Sequence, residues 1–253
     1  MTVRVLALTC GWLTAPAGTF LADEPGELRV PVPAFLIEHP RGRVLFDSGM
    51  HPDLQTDARA RIGWLADYFR PTYQAGEDVA GRLTALGIDP ASIRMLINSH
   101  LHFDHTGGNA LLPNAELVVQ RDEWEAGRDA DLQAQNAYDP KDYDTGQPVR
   151  LVDGEHDVFG DGSVVCVPTF GHTPGHQSLR VRTPAGEVVL TSDACYLRRT
   201  LEELRLPPIV HDRGAMLASI ARLRALRDAG ARLVFGHDPG AWTSVPQAPA
   251  CLV

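Results

Sequence analysis

The sequence predicts an α/β fold in which two β-sheets lie under helices on both outer faces, as one domain over residues 1–253. Three observations predict it. Strand-like apolar runs and helical stretches are interspersed along the whole length, and such mixtures bury their apolar faces by stacking in layers. No internal repeat and no low-complexity linker divides the chain. Its 253 residues suffice for a substantial core and lie near the upper size of a single domain.

Residues 3–9 read as the first strand, with Val3, Val5 and Leu8 among small residues. Val5 to Ala17 is apolar but lacks the basic start and unbroken run of a secretory signal, so none is expected. Residues 30–38 form a second strand, and Pro31 and Pro33 put its start near a sheet edge. Arg41-Gly42 turns the chain into Val44-Leu45-Phe46-Asp47, followed by Ser48-Gly49. Residues 50–76 carry Trp64, Tyr68, Phe69 and Tyr73 with little periodicity, which predicts a long loop holding a short helix. Loops of that length are commonly functional, and these aromatics are expected to line a pocket or meet a second subunit.

A helix runs from Glu77-Asp78 to about Leu86 and stops at Gly87. Ile93 to Asn98 reads as a buried strand, Glu116 to Gln120 as another, with a helix over 121–127. Residues 128–149 are polar and acidic and are expected to form a flexible loop. Short strands follow at 150–152, 156–159, 163–168, 178–183 and 187–192, separated by Gly, Pro and Asp turns. Met216, Leu217, Ile220, Leu223 and Leu226 recur at helical spacing within 214–229, and Gly230 ends that helix. Leu233-Val234-Phe235 is the last strand and delivers Gly236-His237-Asp238.

Composition narrows the function. Hydrophobic residues make up 44% and charged residues 22%, as in a soluble globular enzyme. A net charge of -9 argues against a nucleic-acid partner, which needs a basic face, and suits a neutral substrate. Cys10, Cys166, Cys195 and Cys251 are scattered without a Cys-x-x-Cys pair, which predicts reduced thiols and a cytoplasmic protein. No stretch approaches the ~20 apolar residues of a membrane span.

The strand ending at Asn98 runs into Ser99-His100-Leu101-His102-Phe103-Asp104-His105-Thr106-Gly107-Gly108-Asn109. His100, His102, Asp104 and His105 are four metal-ligand candidates within six residues, and imidazole with carboxylate suits zinc and similar metals. Three later stretches repeat the grammar of strand, ligand, then Gly or Pro or a chain turn. They are Gly171-His172-Thr173-Pro174-Gly175-His176, Thr191-Ser192-Asp193 and Gly236-His237. His39, His51 and His156 read as surface or turn residues, and His211 follows Pro207-Pro208 in a loop.

His-x-His-x-Asp-His resembles the signature of the metallo-β-lactamase superfamily, which implies a four-layer αββα sandwich with one or two metals at one edge. Several phrases together look like the N-acyl homoserine lactonases, dinuclear quorum-quenching hydrolases. They are the Ser99–Asn109 run, Val119-Gln120-Arg121-Asp122-Glu123-Trp124, Gly-His-Thr-Pro-Gly-His-Gln-Ser and Asp193-Ala194-Cys195-Tyr196. Gly236 to Trp242 and the 50–76 insertion look like a longer, dimeric branch of that family, so a homodimer is expected. Phe170 departs from a common proline, and Cys195 from a common serine; Cys195 is expected beside the site rather than in it.

The resemblance implies that His100, His102 and His172 hold a first divalent ion, and Asp104, His105 and His237 a second. Asp193 would bridge both. Zinc is the expected metal, with manganese, cobalt or iron as alternatives. Asp47 would orient a ligand, and His176 would support its turn by hydrogen bonding. A hydroxide shared by the ions would attack the lactone carbonyl, Tyr196 would bind the developing oxyanion, and Asp104 would carry the proton to the leaving oxygen. Phe103 would wall the metals, with Trp12, Phe35, Tyr68 and Phe69 as candidates for the acyl channel. The alternatives are a metallohydrolase of another lactone or an ester (γ-butyrolactone, a pyridoxine-derived lactone, an aryl ester) and a binding module without catalysis.

Overall fold

Successive side chains of a strand face opposite ways, and along β1 (Arg4–Pro16) both faces are apolar: Val5 and Ala7 on one, Leu6 and Leu8 on the other. The pattern repeats in β2 (Glu27–His39) and β3 (Gly42–Phe46). A strand of this kind must be covered on both sides. The computed structural model describes residues 2–252 and meets that demand with two stacked sheets between helical layers.

The remaining elements follow in chain order. They are α1 (Ala58–Ile62), α2 (Leu65–Tyr68), β4 (Arg70–Thr72), α3 (Val79–Ala85), β5 (Met95–Ile97), α4 (Phe103–Thr106), β6 (Glu116–Gln120) and α5 (Arg121–Ala126). After them come α6 (Ala130–Asn136), α7 (Pro140–Tyr143), β7 (Val149–Val152), β8 (His156–Asp157), β9 (Val164–Pro168), β10 (Gln177–Thr183) and β11 (Gly186–Ser192). The chain closes with α8 (Arg198–Glu203), α9 (Arg213–Asp228), β12 (Arg232–Phe235) and α10 (Pro239–Trp242). One sheet has the order β4-β1-β2-β3-β5-β6-β7, the other β12-β11-β10-β9-β8.

Between the sheets lies a core of Val5, Ala7, Phe35, Ile37, Phe46 and Ile97 against Cys166, Leu179, Val188 and Leu190. The alternate residues Leu6, Leu8, Leu36, Leu45, Leu96 and Leu117 pack outward under α3 and its neighbours. On the far side Met216, Ile220 and Leu223 of α9 cover Val189 and Phe235. Each of these helix side chains, fully buried, contributes about 1.5–3 kcal/mol. Asp212 caps the same helix by accepting the Ala215 N–H at 2.9 Å.

Several expectations change in the folded chain. The first strand runs on to Pro16. β2 is third of seven in its sheet, yet β3 pairs only with Phe35–His39, so Pro31 and Pro33 lie where β1 alone flanks the strand. Residues 50–76 are ordered as α1, α2 and β4, and β4 pairs with β1 at Trp12, Leu13 and Thr14. The supposed flexible loop at 128–149 holds α6 and α7, each opened by a capping aspartate, Asp129 and Asp139. His39 is buried rather than superficial: it stacks on Phe159 at 3.8 Å and meets Asp161 at 3.1 Å. His156 is half-buried in β8, and His51 caps the turn at Pro52–Gln55. Cys10, Cys166 and Cys195 are buried free thiols, and Cys251 is half-buried. No helix among the described residues is long and apolar enough to cross a membrane.

Candidate metal centre

The parallel strands β3, β5 and β6 point their C-terminal ends to one edge, as do β11 and β12 of the other sheet. Loops leaving strand ends on a rigid sheet are where chemistry collects. After β5 the chain bends at Ser99 and His100 and is extended again at His102, and the two imidazoles reach one point. It then coils into α4, which turns Asp104 and His105 toward a second point. His172 arrives from the loop after β9, Asp193 from β11 and His237 from β12.

Asp193 owes its aim to two local distortions. The β11–β12 register shifts between Leu190 and Ser192, and Ser192 takes a left-handed φ of 46°. Gly236 lets the two strand ends close up, because a Cβ there would meet the Ser192 carbonyl at 2.5 Å.

Two groups of ligand atoms result, His100, His102, His172 with Asp193, and Asp104, His105, His237. In the first, His102 Nδ1 is 2.9 Å from His100 Nε2 and 3.1 Å from His172 Nε2. Asp193 Oδ2 lies 3.6 Å from His100 and 3.4 Å from His172. In the second, Asp104 Oδ2 lies 3.7 Å from His105 Nε2 and 3.6 Å from His237 Nε2. Asp193 Oδ1 faces the same two nitrogens at 3.4 and 3.1 Å. Ligand atoms about 2.0–2.1 Å from a tetrahedral zinc lie about 3.3–3.4 Å apart, so these spacings fit two cations.

Hydrogen bonds fix which nitrogens are free. Ser99 Oγ donates to Asp47 at 2.8 Å, so His100 Nδ1 is the donor in its 2.9 Å contact with Ser99. His105 Nδ1 donates to Asp47 at 2.9 Å, His237 Nδ1 to the Pro31 carbonyl at 2.8 Å, and His102 Nε2 to the Asn136 carbonyl at 2.9 Å. Each ring's other nitrogen therefore turns a lone pair into its cluster. Lone pairs converging at 2.9 Å need a cation between them. His105 Nε2 and Asp193 Oδ1 are buried without a hydrogen-bond partner among the described residues, which fits the same demand.

The charges agree. Burial holds His100 and His172 well below the ordinary imidazole pKa, in the neutral form that ligates. Burial also pulls on His105, but Asp193, Asp104 and Asp47 together outweigh it and raise that pKa well above its usual value. Asp193 and Asp104 raise His237 likewise against burial. Burial pushes the Asp193 carboxyl up, yet facing His105 and His237 holds it well below the carboxylate range. The second cluster calls for positive charge, which a divalent ion supplies in place of protons.

Asp47 and His176 stand behind the clusters. Asp47, at a left-handed φ of 59°, accepts the Ser99 N–H at 2.7 Å as well as His105. Burial pushes His176 down to about 3, and its neutral Nε2 accepts the Asp193 N–H at 3.1 Å. Cys195 points away, its thiol donating to the Leu197 carbonyl at 3.3 Å.

Tyr196 packs on the rings of His172 and His237 at 5.4 and 5.5 Å, with Phe20 at 5.5 Å behind it. Burial and the Asp193 and Asp104 carboxylates raise its pKa, so it remains a phenol. Phe69 meets Phe103 at 5.8 Å, and Tyr68 covers Phe69 from the surface at 5.2 Å. Trp12 and Phe35 do not join them. Both pack with the inter-sheet core, Phe35 against Trp242 at 6.0 Å and Trp12 under Arg29 at 4.4 Å. Odd-numbered Phe35 follows the strand's inward face, which its apolar character alone does not tell apart from a channel wall. Sequence reasoning also missed the Asn136 carbonyl, Ser99, Phe20 and the buried Glu123. The start of α5, Arg121-Asp122-Glu123-Trp124, carries no sign of which carboxylate is buried.

Residues 28–237 match the metallo-beta-lactamase superfamily. The N-acyl homoserine lactonase AttM of Azorhizobium caulinodans is 39% identical over 230 residues, 88% of this chain and 88% of that protein. The N-acyl homoserine lactonase AiiA of Bacillus thuringiensis subsp. kurstaki is 30% identical over 235 residues, 88% of this chain and 91% of that protein. An N-acyl homoserine lactone hydrolase solved with the product N-hexanoyl-L-homoserine at its catalytic metal centre is similar with a TM-score of 0.88. It is 29% identical, with 99% of this chain and 100% of that one covered. This chain belongs to the metallo-beta-lactamase superfamily and, within it, to the N-acyl homoserine lactonase family.

Proposed function

We propose that the protein is a dinuclear metal-dependent hydrolase that opens the lactone ring of N-acyl homoserine lactones. The observation that carries this reading is the division of Asp193, with Oδ2 toward the first cluster and Oδ1 toward the second. A carboxylate shared in that way suits a pair of ions close enough to act on one carbonyl. His100, His102 and His172 would hold one ion, Asp104, His105 and His237 the other, and Asp193 would reach both. Zinc suits this donor set. When bound, the pair supplies Lewis acidity and lowers the pKa of water toward neutrality.

The protein's own groups do the rest. Tyr196, kept protonated, donates a hydrogen bond to the carbonyl oxygen as it gains charge. Asp104 turns Oδ2 toward His105 and His237. As the water oxygen bonds to the carbonyl carbon, the other Asp104 oxygen takes that water's proton and passes it to the ring oxygen as the C–O bond breaks. Phe103 and Phe69 wall the acyl chain near the site, with Tyr68 at its outer end. Asp47 and His176 orient His105 and Asp193. A homodimer through the insertion fits the exposed Trp64, and unpaired cysteines fit a cytoplasmic location.

A pH-stat assay on short- and long-chain N-acyl homoserine lactones, with metal measured on the same sample, tests the reading. Expected are about two ions per chain and base uptake matching ring opening. Turnover confined to γ-butyrolactone, a pyridoxine-derived lactone or aryl esters would reassign the substrate. A chain binding no metal would leave a binding role.

A further inference from the structure

Glu123 is fully buried at the C-terminal side of β6, on the first turns of α5. Its Oε1 accepts the Leu101 N–H at 2.9 Å and the Tyr138 hydroxyl at 2.6 Å, and its Oε2 accepts the Gly175 N–H at 2.8 Å. None of these donors is a cation. A buried carboxylate is costly to keep without one, so its partners must matter to the fold or to the site.

Those partners belong to one cluster. Leu101 lies between His100 and His102, and Gly175 lies in the loop that carries His172 and His176. That loop sits so close that a Cβ on Gly175 would meet the Glu123 backbone nitrogen at 2.2 Å. Tyr138, the third donor, packs its ring 5.5 Å from His102. One carboxylate thus ties together both segments that supply the three histidines of the first cluster. His105 and His237 have anchors of their own, the Asp47 carboxylate and the Pro31 carbonyl.

We propose that Glu123 is a positioning residue that holds His100, His102 and His172 at ligating distance, and so sets the affinity of the first cluster without touching metal or substrate. The inference rests on the metal reading above. A glutamine at 123 keeps the shape but offers one acceptor oxygen, with an amide nitrogen carrying two N–H donors in place of the other. Whichever way it turns, either Gly175 or Leu101 meets an N–H instead of an oxygen.

The test is zinc uptake by the whole chain across a chelator-buffered series of free zinc, compared for the parent, E123Q, H172A and L223A. E123Q is expected to weaken one uptake step by about 10- to 100-fold, the step that H172A abolishes, and to leave the other within about 3-fold. L223A, a core change in α9, lowers stability without selecting between steps. Equal weakening of both steps in E123Q, as in L223A, overturns the proposal, and so do two unchanged steps. A parent that fails to take up two ions overturns the metal reading as well. Should E123Q not fold, Y138F removes one donor from the same carboxylate. A weakened H172A-sensitive step supports the proposal, and unchanged uptake overturns it.

Discussion

At the scale of single residues, four of the clustered imidazoles have one nitrogen committed to a named acceptor or hydroxyl, and this leaves the other aimed inward. Asp47 does this for His105 at 2.9 Å. Replacing it in D47N turns an acceptor into a mixed group and frees the ring to rotate. Zinc affinity at the second cluster is expected to drop about 10- to 100-fold, read as loss of one ion per chain on dialysis. Tyr196 tests a different step. Y196F is expected to lower kcat about 100-fold while zinc content stays at the parent level, because the proposed mechanism assigns Tyr196 only the hydrogen bond to the developing oxyanion. A simultaneous loss of metal would mean that the phenol supports the ligands instead.

At the scale of elements, the short helices α1, α6 and α7 matter more than their length suggests. α6 ends at Asn136, whose carbonyl orients His102 at 2.9 Å. α1 is bound to α7 through Arg61, which meets Asp142 and Asp139 with its side chain 9% exposed. R61A leaves Asp142 buried without its cation and is expected to cost about 3–5 kcal/mol, measured by urea unfolding. Helices of four to seven residues have too little intrinsic stability to announce themselves. The polar, acidic sequence that carries α6 and α7 reads as loop. Aspartate caps and tertiary partners such as the Gln133 bond to the Gly127 carbonyl stabilise them only in place.

At the scale of the whole molecule, the clusters join the two sheets. His100, His102, Asp104 and His105 come from the seven-stranded sheet, and His172, Asp193 and His237 from the five-stranded one. Beneath them Gln177 links both sheets through the Asn98 carbonyl at 2.8 Å and the Gln120 amide at 3.0 Å. Ions held across that seam stabilise the folded chain by mass action. At free zinc a thousand times Kd the gain is about 4 kcal/mol per site. Stripping with a chelator is expected to lower Tm by about 10 °C or more, and adding zinc should restore it, read by calorimetry. An unchanged Tm would separate the metal from the fold.

By itself the sequence determined the layering and the first half of the candidate ligand cluster. Apolar runs buried on both faces need cover, and His100, His102, Asp104 and His105 stand close together along the chain. Interactions of that range are written in local order. Only the tertiary structure decided that Asp193 divides its oxygens, that Glu123 is buried between two ligand loops, and that Phe35 belongs to the core rather than the pocket. Each depends on which surfaces meet after the sheets stack, and residues brought together from far apart carry no mark of that meeting in their own neighbourhoods.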